Sequence, residues 1–209
     1  MAGAEEEMRR LDATIRQCPL CDLSKTRTKA VPGEGPLDAE LLFLGEAPGF
    51  HEDRQGRPFV GAAGQFLDTM LAGIGLDRQR VFITNVVKCR PPNNRDPLPA
   101  EIAACAPYLD QQIALINPLL IVTLGRHSMA SFFPGEKISS IHGTARQLEG
   151  RTIVALYHPA AALHQQSLRA TLEEDFRKLP RYIEEARSRV RQNQGSQRPD
   201  DPPHQPSLF

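Results

Sequence analysis

A chain of 209 residues with 40% hydrophobic and 24% charged side chains has the make-up of one soluble α/β domain with room for a tail. Its 25 basic and 25 acidic side chains cancel, which excludes a protein that coats nucleic acid indiscriminately, because such a surface is strongly basic. No apolar stretch approaches the roughly 20 residues of a membrane span, and the acidic start MAGAEEEMRR lacks the apolar core of a secretion signal; a cytoplasmic location and no membrane partner are expected.

Residues 4–17 are predicted to form an amphipathic helix with Met8, Leu11 and Ile15 along one face. Cys18 and Cys21 follow as a C-x2-C pair, and then a basic group, Lys25, Arg27 and Lys29. The apolar run 41–44 reads as a buried strand. After it comes GEAPGFHEDRQGRPFVGAAG, residues 45–64, with five glycines and two prolines. A plain connection in an α/β unit needs only about 2–6 residues, so this segment is expected to bind something. Further buried strands are predicted at 81–83, 119–124 and 152–156, with helices at 64–74, 99–116 and 126–132, the second opened by Pro99. Alternating strands and helices imply a parallel sheet covered on both faces. A Glu- and Arg-rich helix is predicted over 166–189, interrupted or bent at Pro180. The domain is thus expected to occupy 1–189, with 190–209 a disordered tail, since RQNQGSQRPDDPPHQPSLF has almost no apolar content before its last two residues. A second basic group, Lys88, Arg90 and Arg95, offers a few phosphate contacts.

Cys89 and Cys105 complete a set of four cysteines. Four thiols in a reducing compartment are not expected to pair as disulfides, and two of them in C-x2-C spacing suggest a metal site. Zinc and a 4Fe–4S cluster both accept four thiolates, and spacing does not separate them. Either would pin the N-terminal helix to the segment after the second strand.

GEAPG at 45–49, GRPFVGAAG at 56–64, TNVVKCRPP at 84–92, YHPAAAL at 157–163 and the cysteine pattern Cys18, Cys21, Cys89, Cys105 occur together and in this order. Jointly they resemble the family 4 uracil-DNA glycosylases, the iron–sulfur members of the uracil-DNA glycosylase superfamily, over roughly residues 8–185. The resemblance implies a single three-layer α/β/α domain with a central four-stranded parallel sheet, and a uracil pocket at the carboxyl ends of the strands. It also implies a 4Fe–4S cluster on the four cysteines and hydrolysis of the N-glycosidic bond of deoxyuridine in DNA during base excision repair. Uracil-containing DNA, single- or double-stranded, is the expected partner, and a nucleoid-associated monomer the expected form.

Such an enzyme extracts a base from the stack and stabilises the charge that develops as the bond between sugar and base lengthens. Phe59 is the expected stacking platform for the flipped base. Asn85 offers a donor and an acceptor that match N3–H and O4 of uracil. His158 is the expected donor to O2 of the departing anion. Gly45, Glu46 and Ala47 complete the expected uracil-binding set, the backbone N–H groups of Ala47 and Gly49 being free to approach the ligand. Glu46 is the nearest acidic group for holding water, because the best-known branch carries an aspartate where this chain has Ala47; Glu52 and Asp53 are further candidates. Of the other histidines, only His142 is singled out, in a polar loop. Leu163 is the expected wedge that fills the gap left in the duplex.

Two other readings are weighed. A crosslinking branch of the superfamily uses a histidine in a basic insertion, and the segment between Asn85 and Cys105 has neither. A non-catalytic nucleic-acid-binding module would not need Glu46, Phe59, Asn85 and His158 together. Finally, QPSLF at 205–209 resembles the bacterial sliding-clamp-binding pentapeptide, with Gln205, Leu208 and Phe209 as its contacts and Pro206 where leucine is more usual.

Overall fold

The computed structural model describes residues 2–148 and 150–196. Among them five strands form one sheet: β1 Leu41–Gly45, β2 Val81–Asn85, β3 Leu120–Leu124, β4 Ala145–Leu148 and β5 Arg151–Leu156. Every residue of β1, β2 and β3 is buried, so neither face of these strands meets water and helices must cover both. The order is β2-β1-β3-β5-β4, with the first four strands parallel and β4 antiparallel at the edge. The described helices are α1 Ala2–Gln17, α2 Phe50–Gln55, α3 Ala62–Gly73, α4 Pro99–Ile116, α5 Arg126–Ala130, α6 Ile138–Ile141, α7 Pro159–His164 and α8 Gln166–Ser196. None is long and apolar enough to cross a membrane.

Strand side chains alternate between two cores, as the period of two requires. Leu41, Phe43, Ile83, Val122 and Val154 pack against Phe66 and Leu67 of α3 and Leu172, Phe176 and Leu179 of α8. Leu42, Leu44, Phe82, Ile121 and Ile153 pack against Met8, Leu11 and Ile15 of α1 and Tyr108, Leu109 and Ile116 of α4. Helices therefore lie on both sides of the sheet, and the expected face of α1 is the one that is buried.

Three expectations need correction. The sheet has five strands, not four. Ala145–Leu148 carries no apolar run, because an edge strand that is only half-buried at one end and exposed at the other has no second face to fill. The last helix is not interrupted at Pro180 but continues to Ser196, so residues 190–196, assigned to the tail by composition, are helical. The proline removes one backbone bond, a cost of about 3 kcal/mol, which burial of Phe176, Leu179, Tyr182 and Ile183 on either side of it offsets. The long loop also contains a helix, α2, closed by Gly56 in the left-handed region at φ 75°. Gln205, Leu208 and Phe209 lie outside the described residues.

The connections leaving β1, β2, β3 and β5 all emerge at the carboxyl edge of the parallel strands, where open α/β sheets bind ligands. The layer beneath that edge is held by Phe43 and Phe176, whose rings stack with centroids 5.7 Å apart. Phe176→Ala should cost about 3–5 kcal/mol of stability, measured by urea denaturation; a loss below about 1 kcal/mol would mean the layer repacks around the cavity.

Candidate active site

β1 and β2 end together, with Gly45 opposite Asn85 in the parallel register. A side chain at position 45 is sterically impossible here: a Cβ would lie 2.3 Å from Asn85 Oδ1 and 2.8 Å from the Phe59 ring. The absence of that atom lets Asn85 and Phe59 converge. Around them opens a cavity of about 340 Å³, lined by Glu46, Ala47, Gly49, Glu52, Phe59, Asn85, Asn94, Arg95 and His158 among others. Every residue expected in the uracil-binding set thus lines this cavity or, for Gly45, packs against the two side chains that do.

Phe59 has φ 52°, a left-handed conformation that is unfavourable for a bulky side chain. Its neighbours hold it there. Arg78 donates from Nη1 to the Pro58 carbonyl at 2.9 Å and from Nη2 to the Phe59 carbonyl, and is itself paired with Glu34 and Asp68. Gly64 packs so closely beneath that a Cβ would lie 1.7 Å from the Phe59 carbonyl oxygen. Glu52 Oε1 accepts from the backbone N–H groups of Val60 and Gly61 at 2.8 and 3.0 Å, tying the same turn to α2. Asp53, in contrast, is buried and accepts from Thr28 N at 2.8 Å. It braces the loop from below and does not line the cavity.

His158 is the N-cap of α7 and its ring lies beside that of Phe59, centroids 5.6 Å apart. Its Nδ1 accepts from Ala160 N at 3.1 Å. An atom that accepts from an N–H carries no proton, so in the neutral ring the proton sits on Nε2. Burial pushes the imidazolium down to about 4, only partly opposed by the Glu52 charge. A neutral ring with an Nε2 donor is the result.

Glu46 sits half-buried at the rim, where burial raises its carboxyl above the usual range. Its Oε2 lies 3.8 Å from His127 Nε2, which in turn is 3.2 Å from Asp96 Oδ2 and accepts from Arg126 Nε at 2.8 Å. His127, passed over in the sequence, is therefore the histidine brought nearest this carboxylate. Asn94 was also missed, and Arg95, expected only as a phosphate contact, lines the cavity too. Asn94 is left-handed at φ 53°, and the signal for it was the turn sequence PPNN after β2. Arg95 grips Glu101 with both terminal nitrogens, at 2.9 and 2.7 Å. Leu163 projects from α7 with 45% of its surface exposed. His142 Nδ1 lies 2.6 Å from a carboxylate oxygen of buried Asp175.

The second basic group needs correction. Lys88 is 1% exposed and its Nζ donates to Thr84 Oγ1, Asn85 O and Gln112 Oε1 at 2.6, 2.8 and 2.6 Å. It fixes the backbone carbonyl beneath the Asn85 side chain and is unavailable to phosphate. In the first group, Lys25 pairs with Asp22 and Arg27 turns inward to Cys89.

All four cysteines line one small cavity on the α1/α4 side and none forms a disulfide. Cys18 and Cys21 bracket the turn after α1, Cys89 lies beyond β2 and Cys105 lies in α4. Burial pushes the Cys105 thiol up to about 11 and raises that of Cys89. Three sulfurs nevertheless receive N–H donors: Cys89 from Arg27 Nη1 at 3.0 Å, Cys105 from Lys88 N at 3.3 Å and Cys18 from Leu20 N at 3.5 Å.

Comparison with known proteins agrees with this geometry. The family model described as the Uracil DNA glycosylase superfamily matches residues 32–185. The chain is 51% identical over 188 residues to a type-4 uracil-DNA glycosylase of Sulfurisphaera tokodaii, covering 83% of this chain and 84% of that one. It is 48% identical to the type-4 enzyme of Archaeoglobus fulgidus (82% and 92% covered) and 43% identical to that of Thermotoga maritima (88% and 98% covered). The chain belongs to the uracil-DNA glycosylase superfamily, in its type-4 branch.

Two outcomes test the site itself. In NMR titrations the His158 ring should stay in the Nε2–H form through neutral pH and protonate near 4, not near its ordinary value of about 6.5. Because its folded pKa lies below its unfolded one, the unfolded chain binds the extra proton between those values, so this group's contribution to stability falls as pH falls through that window. His158→Asn should flatten that part of the profile. Arg78→Ala should cost about 2–3 kcal/mol in urea denaturation, since it frees two carbonyls and two carboxylates from a charged donor.

Proposed function

We propose that the protein hydrolyses the N-glycosidic bond of deoxyuridine in DNA, releasing uracil and leaving an abasic site for repair. One observation carries this reading: the ends of β2 and β5 and the long loop after β1 bring a carboxamide, a neutral imidazole donor and an aromatic ring to the same cavity. The flipped uracil lies against Phe59, and Asn85 pairs with its N3–H and O4, a pattern that cytosine reverses. As the bond from C1′ to N1 lengthens, its electron pair passes to the uracil ring and charge accumulates on O2. His158 Nε2–H donates there and needs no proton transfer to do so, because a buried neutral donor stabilises an oxyanion without first having to lose a charge. Water adds to C1′ from the opposite side, its proton passing to solvent or to Glu46, whose carboxylate also favours the cationic sugar. Leu163 fills the vacated place in the duplex.

The four cysteines fit a 4Fe–4S cluster. Zinc also accepts four thiolates, and the likeness to type-4 enzymes is what favours the cluster. The N–H donors aimed at three of them suit sulfurs that carry negative charge, as cluster thiolates do. Cys18, Cys21, Cys89 and Cys105 would hold the group, and its part is to join α1 to the β2 loop and α4. In the tail, Gln205, Leu208 and Phe209 tether the enzyme to the sliding clamp through a polar linker.

Uracil release from a labelled oligonucleotide tests the activity. His158→Ala should slow single-turnover release by about 10²–10³-fold, Asn85→Asp should shift preference toward cytosine, and Glu46→Gln should reduce the rate without abolishing it. Unchanged rates in all three would remove this cavity as the site. Protein purified without oxygen should be brown and hold iron; colourless protein with stoichiometric zinc would overturn the cluster. A peptide of residues 197–209 should bind the sliding clamp of the same organism and lose binding when Leu208 and Phe209 become alanine.

A further inference from the structure

Beside the cavity stands an aromatic side chain that the core does not use. Phe50 opens α2 with 46% of its surface exposed. Two guanidiniums lie against its ring, Arg54 at 5.4 Å and Arg90 at 5.2 Å from the centroid, and His51 meets it edge-on at 5.4 Å. Neither arginine is in an ion pair with a carboxylate among the described residues. The cluster is joined to the cavity on two sides. Gly49, immediately before Phe50, lines the cavity and caps α2. Asn94, another lining residue, accepts from Arg90 Nε at 2.7 Å.

An exposed ring flanked by arginines is the combination that holds single-stranded nucleic acid: every base has a face to stack, and every nucleotide a phosphate to pair. We propose that Phe50, Arg54 and Arg90 form a second nucleotide subsite, which stacks the base next to the uracil in the same strand and binds that nucleotide's phosphates. The proposal rests on the cavity being the uracil pocket. Base stacking on an aromatic ring is the stronger contact and an exposed cation–π contact the weaker, so an arriving base displaces a guanidinium from the ring. Arg54, with no other bond to break among the described residues, turns to the phosphate, while Arg90 stays anchored to Asn94. A flipped nucleotide leaves its neighbour unstacked on one side, and Phe50 replaces the lost partner. Extraction of the base and capture of its neighbour are then one event.

The test uses full-length protein and single-stranded oligonucleotides with one uracil, flanked by ordinary nucleotides or by a tetrahydrofuran abasic nucleotide on one side. Phe50→Ala should raise the half-saturating concentration about tenfold and leave the saturated single-turnover rate unchanged; Phe50→Tyr should restore it. The abasic neighbour, on one of the two sides, should cost the native chain the same factor and cost Phe50→Ala nothing. Arg54→Gln should lower the slope of log affinity against log salt by about 0.7, one phosphate on a single strand. Equal half-saturation for Phe50→Ala and the native chain, or a Phe50→Ala deficit that persists undiminished on both abasic-flanked substrates, would overturn the subsite. Binding of uracil-free strands, followed by fluorescence anisotropy in the same variants, keeps the two readings distinct. A Phe50 effect there in a chain that releases no uracil would overturn the pocket and, with it, the placing of the subsite beside a uracil; uracil release with no Phe50 effect on half-saturation would overturn the subsite alone.

Discussion

The missing side chain at Gly45 is the constraint on which the site depends. Parallel pairing places Gly45 and Asn85 opposite each other at the ends of β1 and β2, and the Phe59 ring comes down into the space where a Cβ would stand. Two groups from distant parts of the chain, a carboxamide fixed by the sheet and a ring carried by the long loop, can share one cavity only because the atom between them is absent. Lys88 secures the same point from below by donating to the Asn85 carbonyl. The buried ammonium has three acceptors and so meets its own hydrogen-bonding needs while holding the strand end rigid.

The length of the loop after β1 follows from this. Phe59 must enter from above the strand ends in a left-handed conformation, and such strain persists only where the surroundings over-determine it. Arg78, Gly64 and Glu52 supply that determination from three directions. α2 is the spacer that carries Glu52 to the turn and, on its outer side, sets Phe50 at the rim. The segment from Glu46 to Gly61 thus shapes one wall of the pocket and its approach.

Electrostatics divide the site in two. On the His158 side, burial and the Ala160 N–H keep the ring neutral and fix which nitrogen donates. On the Glu46 side, His127, Asp96 and Arg126 form a half-exposed network that links the carboxylate to solvent. The proposed hydrolysis uses this division, with its donor for the leaving anion in the dry part and its carboxylate for water at the wet rim. The cysteine cavity lies behind β2, away from this chemistry, among the residues that join α1 to α4.

What could be read along the chain is what local pattern dictates. Buried strands declared themselves as apolar runs, α1 by the spacing of Met8, Leu11 and Ile15, the start of α4 by Pro99, and the site by glycine, asparagine and histidine placed directly after strands. The edge strand Ala145–Leu148 was illegible because a strand with little to bury has no hydrophobic signature. Whether the last helix is interrupted or only bent at Pro180 was left open because propensity is local, whereas the burial that carries α8 through it comes from the sheet. Lys88 looked like a surface cation until the fold enclosed it, and His127 looked idle until β3 and β1 set it beside Glu46. Residue type and spacing determined which groups were available for the chemistry. Which of them meet, which are buried, and which proton each carries was decided by tertiary packing, because distance, burial and hydrogen-bond partners are properties of neighbours that lie far apart in sequence.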